Sequence, residues 1–156
     1  MLTLQELIKE KVLVIDGAMG TQIQALSLTP EQWEGKEGCN ELLNMTAREE
    51  ISKIHRGYLL AGADIIKTNT FGALPWVLED YGIGERTYEL AKEGARIVKE
   101  ACADFATEQK PRFCAAAFGP GTKLPSLGHI AYDEMYEGYK IAARGVVDGG
   151  CDLFLI

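Results

Sequence analysis

The sequence predicts an α/β chain built on a parallel sheet, and three observations carry that reading. Short apolar runs at 12–15, 63–67, 113–118 and 152–156 alternate with helical patterns. Alternation of this kind specifies parallel strands joined by right-handed crossovers. The turn Ala61-Gly62-Ala63-Asp64-Ile65-Ile66 is echoed two strand–helix units later by Gly149-Gly150-Cys151-Asp152-Leu153-Phe154, as in a repetitive barrel. Finally, 156 residues, 47% apolar and 25% charged, suit one soluble domain with a sizeable core and exclude a disordered or fibrous chain.

Thr3 and Glu6 form a capping box, in which hydroxyl and carboxylate satisfy free N–H groups, so a short helix follows to residue 9. Val12-Leu13-Val14-Ile15 has no polar alternation and predicts a strand buried on both faces. Residues 25–46 read as an irregular connection. A second capping box, Thr46 with Glu49, opens a helix with Ile51, Ile54, Tyr58 and Ala61 on one stripe, closed by Gly62. Residues 63–67 form the second strand. A short helix is predicted at 75–81, with Pro75 in its first turn. A long helix follows at 85–106, with Tyr88, Ala91, Ala95, Val98, Cys102 and Phe105 in line. Residues 113–118 form the third strand, its alanines suited to a crowded sheet centre. A loop leads to a helix at 132–147 striped by Met135, Tyr139, Ala142 and Val146. Gly149-Gly150 closes it and 152–156 is the fourth strand.

Ligands of parallel α/β folds meet the loops after the carboxyl ends of strands. Asp16 follows the first strand directly. It either accepts bonds from a ligand ammonium or makes an Asx turn to its own backbone. Gly17 and Gly20 can take positive φ and offer N–H groups to a carboxylate, although the dinucleotide-binding glycine pattern is absent. Thr68, Asn69 and Thr70 bring hydroxyls and an amide to the second strand end, with Phe71 as pocket wall or core. Gly119-Pro120-Gly121 ends the third.

Charge and cysteine usage narrow the function. A net charge of -7 argues against nucleic acid or anionic membranes as partners. The four cysteines have neither paired nor metal-ligand spacing, so a disulfide framework and an internal metal site are both disfavoured. No nucleophilic triad involves His55 or His129, which read as solvated or capping residues. Glu79-Asp80 and Asp133-Glu134 read as solvated faces. The start MLTLQELIKEK lacks a targeting pattern and no apolar run reaches the ~20 residues of a membrane span, which makes the cytoplasm the expected compartment.

The motifs at 12–21, at Gly38-Cys39-Asn40-Glu41-Leu42-Leu43-Asn44, at 54–58 and at 61–73 resemble the homocysteine S-methyltransferase domain. Gly119-Pro120 and the turn at 149–152 extend the resemblance over essentially the whole chain. Within the family the wording is closest to the cobalamin-dependent members. The resemblance implies that 1–156 is the first half of a TIM (β/α)8 barrel with four strands, cut within or just after the fourth, because a full barrel needs roughly 250 residues. It implies homocysteine as substrate, its amino-acid end held by Asp16 and Gly17 with nearby Ala18. Thr68, Asn69, Thr70 and Phe71 would line the pocket, and a Glu just past Ile156 would assist. Zinc would be held by three cysteines also past the end; Cys39, Cys102, Cys114 and Cys151 do not match them.

What the resemblance implies chemically is methylation of homocysteine to methionine. Zinc favours the thiolate that methyl transfer needs. The donor would be methylcobalamin, recharged from methyltetrahydrofolate on other modules. The piece alone is expected to be inactive, to pair with its missing half-barrel, and to self-associate through its open inner face. Two alternatives stand beside this reading. One is a betaine- or S-methylmethionine-dependent homocysteine methyltransferase, since donor choice is set mainly outside this segment. The other is a non-catalytic four-stranded binding module, against which stands the uncovered edge at 153–156.

Overall fold

The computed structural model describes residues 3–156. Met1 and Leu2, part of the segment read for a targeting signal, lie outside them. The Thr3–Glu6 capping box is present and opens α1, Leu4–Glu10. Helices α2 (Gly20–Gln24), α3 (Pro30–Trp33), α4 (Leu43–Thr46) and α5 (Arg48–Leu60) precede the first ladder strand, β1, Ile65–Lys67. Then come α6 (Pro75–Leu78), α7 (Thr87–Phe105), β2 (Phe113–Ala117), α8 (Tyr132–Asp148) and β3 (Leu153–Leu155).

The sheet is parallel and has three strands in the order β1-β2-β3. Ile66 pairs with Cys114, and Ala116 with Phe154. Every residue of β2 is buried. Its alanines let α7 approach closely, and Ala91, Ala95, Val98 and Cys102 of the predicted stripe join Ile66, Cys114 and Ala116 in the main core. Helix α8 lies against α7 along a seam of small residues. A Cβ on Gly145 would stand 2.6 Å from the Tyr88 carbonyl oxygen, and one on Gly149 would stand 2.3 Å from that of Lys92. Those two positions therefore accept nothing larger than glycine without forcing the helices apart.

The echoed turns are structural equivalents. Gly62 and Gly150 both adopt positive φ, +108° and +92°. In each turn the following Asp grips the preceding strand. The Asp64 carboxylate accepts the Val14 N–H at 3.0 Å and its own N–H donates to the Val14 carbonyl. Asp152 makes the same two bonds with Cys114.

Four expectations are corrected. Residues 12–15 are not a ladder strand: they touch the sheet through the single bridge from Ile15 to Ile65. The Val14 carbonyl accepts from both Asp64 and Ile65, which pinches the ladder to one rung. Val12, Val14 and Ile15 are consequently 89%, 57% and 42% exposed rather than buried on both faces. The Thr46–Glu49 box does not form. Thr46 ends α4, its hydroxyl donates back to the Leu42 carbonyl, and Ala47 stands at the start of α5. Residues 25–46 hold more structure than an irregular connection. They include α3, opened by a genuine capping box of Thr29 and Gln32 with Pro30 behind it. Finally, the stripe of α5 is rotated, with His55 and Leu59 buried and Ala61 exposed.

Candidate functional site

The carboxyl ends of β1 and β2 open into a cleft of about 340 Å³. Lys67, Thr68, Asn69 and Phe71 come to it from β1 and the loop after it, Ala117 from β2, Met19 and Gly20 from the start of α2, and Asn40 and Glu41 from the turn before α4. Asp16 stands beside this lining. Its Oδ2 accepts the Lys67 backbone N–H at 3.2 Å, and its Oδ1 is 3.7 Å from the Lys67 ammonium. That second distance is too long for a hydrogen bond, and Oδ1 is buried with no hydrogen-bond partner among the described residues. Burial raises the Asp16 carboxyl to about 6 against the opposing pull of Lys67. It remains chiefly ionised at neutral pH. The Asx-turn alternative is not what holds it: its partner lies on β1.

Gly17 and Gly20 are not among the glycines at positive φ, which corrects that expectation. Gly17 is required for a different reason. A Cβ there would lie 2.9 Å from the Tyr58 hydroxyl, which is itself held by donating to the Ala18 carbonyl at 2.7 Å. Helix α5 thereby clamps the loop that carries Asp16.

The hydroxyls of Thr68 and Thr70 are committed to structure. Thr70 donates to the Ala117 carbonyl at 2.8 Å, and Thr68 accepts the Ala117 N–H at 3.0 Å. The two hydroxyl oxygens are 2.5 Å apart. Since Thr70 has spent its one hydrogen, Thr68 is the donor between them. Together they latch the ends of β1 and β2. The Asn69 amide donates to the Asn40 carbonyl at 2.7 Å and to the Asn44 side-chain oxygen at 3.0 Å. Asn44, fully buried, donates in turn to the Asn69 and Leu90 carbonyls. Phe71 is 62% exposed and is therefore not core. Its ring lies where a Cβ on Gly119 would be, 2.5 Å away, so the Gly119-Pro120 turn seats the aromatic wall of the cleft.

Glu41 joins the site although its sequence position gave no chemical reason to expect it. Its Oε1 accepts the Gly72 N–H at 2.7 Å, and burial raises its carboxyl. The signal that finds it is its place in the motif at 38–44, opposite a glycine-bearing strand end.

The thiols do not suit a metal. Burial raises Cys39 to about 11 and Cys102 to about 12, and it also raises Cys114 and Cys151. Zinc binding itself releases a thiol proton, so the raised values add only to the cost of ligation, and placement decides. Among the described residues no group of three or more His, Cys, Asp or Glu is placed to hold a metal ion. His55 corrects another expectation: it is fully buried, not solvated or capping, and neither ring nitrogen has a partner among the described residues. His129 is exposed and accepts from the Leu124 N–H at 3.4 Å. Among the described residues no helix is long and apolar enough to cross a membrane.

Residues 13–156 match the family model described as Homocysteine S-methyltransferase. The chain is 42% identical to methionine synthase of Mycobacterium tuberculosis (strain ATCC 25618 / H37Rv) over 153 residues, 98% of this chain and 13% of that protein. Methionine synthase of Mycobacterium leprae (strain TN) gives the same identity and coverage. The chain thus spans 13% of the length of these curated relatives. Among solved structures, the metallated form of the homocysteine methyltransferase MmuM from Escherichia coli superposes with a TM-score of 0.74, covering 97% of this chain and 55% of that one at 20% identity. Its apo form gives 0.67, covering 95% and 49% at 21% identity. At that identity the likeness establishes the shared fold.

Proposed function

We propose a function from one premise: the chain belongs to the homocysteine S-methyltransferase family. The cleft at the strand ends binds homocysteine, and the whole protein methylates its sulfur to give methionine, as a methionine synthase. The strands β1 to β3, with the segment bridged at Ile15, are consecutive members of a TIM (β/α)8 barrel whose other strands lie outside residues 1–156. Zinc, which favours the thiolate, and the donor methylcobalamin, recharged from methyltetrahydrofolate, belong to chain beyond these residues.

One observation carries this reading: the buried, ionised Asp16 has an oxygen without a hydrogen-bond donor among the described residues, beside a cleft walled by Phe71. An ammonium group satisfies that oxygen, with Gly17 and Ala18 alongside. The aliphatic stem of homocysteine then runs past Phe71. Thr68, Thr70 and Asn69 keep the floor in place through the latch and amide network described above rather than by spending their hydroxyls on substrate.

The test is methionine formation by the intact protein supplied with homocysteine, cobalamin and methyltetrahydrofolate. Asp16→Asn is expected to raise KM for homocysteine roughly tenfold or more, the size of a lost charge-assisted hydrogen bond. An unchanged KM would sink the assignment. Residues 1–156 alone are expected to form no methionine, and zinc-dependent turnover by that piece would overturn this part of the reading.

A further inference from the structure

Arg112 stands immediately before β2, at the end of the strands opposite the cleft, and its side chain keeps only 7% exposure. It lines a second pocket, of about 300 Å³, together with Lys99, Cys102 and Ala103 of α7 and Ala106 just beyond that helix. Among the described residues every hydrogen bond of its guanidinium is made by one nitrogen. Nη1 donates to the Gly62 carbonyl at 3.1 Å and to the Ala63 carbonyl, and stands 3.8 Å from Asp64 Oδ1. Nε is buried and has no partner among the described residues. The planar fork of a guanidinium puts Nε–H and Nη2 together on the edge away from those bonds. Gly62, Ala63 and Asp64 are not part of the pocket wall, so the unpaired edge is the one the pocket receives.

A structural role accounts for half of this guanidinium. Nη1 closes carbonyls just past the end of α5, which a single donor nitrogen could do. The other half is a buried N–H without an acceptor, costly unless a ligand supplies one. The second cation of the wall also has donors to spare. Lys99 Nζ gives one N–H to Asp152 Oδ1 at 2.5 Å, and an ammonium has three. The remaining wall, Cys102, Ala103 and Ala106, brings no competing charge. A paired guanidinium edge binds two oxygens of a carboxylate or a phosphate, and only the phosphate has a third for the ammonium. The net charge of -7 disfavours a long polyanion, so the ligand is a single phosphate group.

We propose that Arg112 and Lys99 form a phosphate-binding pocket at the amino end of the sheet, which takes inorganic phosphate or the phosphate group of a small monoester. The guanidinium edge holds two oxygens and the Lys99 ammonium a third. The pocket shares no lining residue with the cleft and does not rest on the homocysteine reading.

The experiment is calorimetric titration of the intact protein at pH 7.5 and constant ionic strength with inorganic phosphate, phenyl phosphate and acetate. A phosphate group, with its second pKa near 6, is chiefly dianionic there. The wild type is expected to bind phosphate roughly tenfold or more tightly than acetate, which lacks the third oxygen. Arg112→Lys keeps a cation for the end of α5 but has no two-nitrogen edge, and is expected to weaken phosphate binding roughly tenfold or more. Lys99→Met is expected to weaken it by a similar factor, and it carries the comparison alone if the Arg112 variant does not fold. Tighter binding of phenyl phosphate would identify a monoester as the ligand and tighter binding of inorganic phosphate the free ion; either supports the pocket. Phosphate bound no more tightly than acetate, not bound at all, or bound equally by wild type and variants would overturn it.

Discussion

At the scale of single residues, the site depends on contacts whose reasons differ from those the residue types suggest. Gly17 is small because the Tyr58 ring occupies the space of a side chain there, not because its backbone is left-handed. Gly17→Ala is therefore expected to destabilise by about 1–3 kcal/mol, the usual cost of overpacking. In a Tyr58→Leu background the same change should cost far less, and urea unfolding of the four proteins of that cycle measures the difference. Additive effects would show that the ring is not the obstacle. Asp16 and the run from Thr68 to Phe71 could be picked out beforehand because both follow apolar strand segments. That Thr68 and Thr70 would spend their hydroxyls on Ala117 could not, since their partner is 47 or more residues away.

At the scale of elements, the long helices were legible, as were the short α1 and α6, whereas α2, α3 and α4 went unread. Helices α7 and α8 repeat an apolar stripe over many turns, and β2 is a pure apolar run. The Thr46 box failed because a preceding helix claimed the threonine, a competition that a local motif does not reveal. Helix α3 did carry a legible signal, Thr29-Pro30-Glu31-Gln32. Helix α5 hides a charge-sensitive group. Burial lowers His55 from 6.5 to about 3, so it is neutral in the folded chain. As pH falls below 6.5, the unfolded chain takes a proton that the native one refuses, costing about 1.4 kcal/mol per pH unit. Asp16 works the other way. Raised from 3.8 to about 6, it takes its proton first in the folded state, so stability rises by a similar slope as pH falls from 6 to 3.8. The two slopes oppose each other across that window. Relative to wild type, His55→Leu is expected to gain stability as pH drops from 6.5 to 4, and Asp16→Asn to lose it below 6. Urea midpoints at stepped pH would show this, and parallel curves for all three proteins would refute it.

At the scale of the whole molecule, one side is a finished core and the other is an open sheet margin. Val12, Val14 and Ile15 at one edge and Phe154, Leu155 and Ile156 at the other are each 40% exposed or more. Exposed apolar groups beside unpaired strand edges favour association. Residues 1–156 in isolation are expected to self-associate as concentration rises, and light scattering showing a monomer throughout would count against it. The echoed Asp64 and Asp152 turns made the repeating architecture visible in advance. The pinched first strand was invisible because its ladder depends on where two neighbouring N–H groups point, not on hydropathy. The cysteines, finally, give the molecule a clock of its own. Cys39 sits under the turn before α4, Cys102 on the inner face of α7 and Cys114 in the middle of the sheet, all buried and held protonated. An alkylating reagent reaches each only when that region opens, so the three labelling rates time three separate breathing motions without any probe being attached.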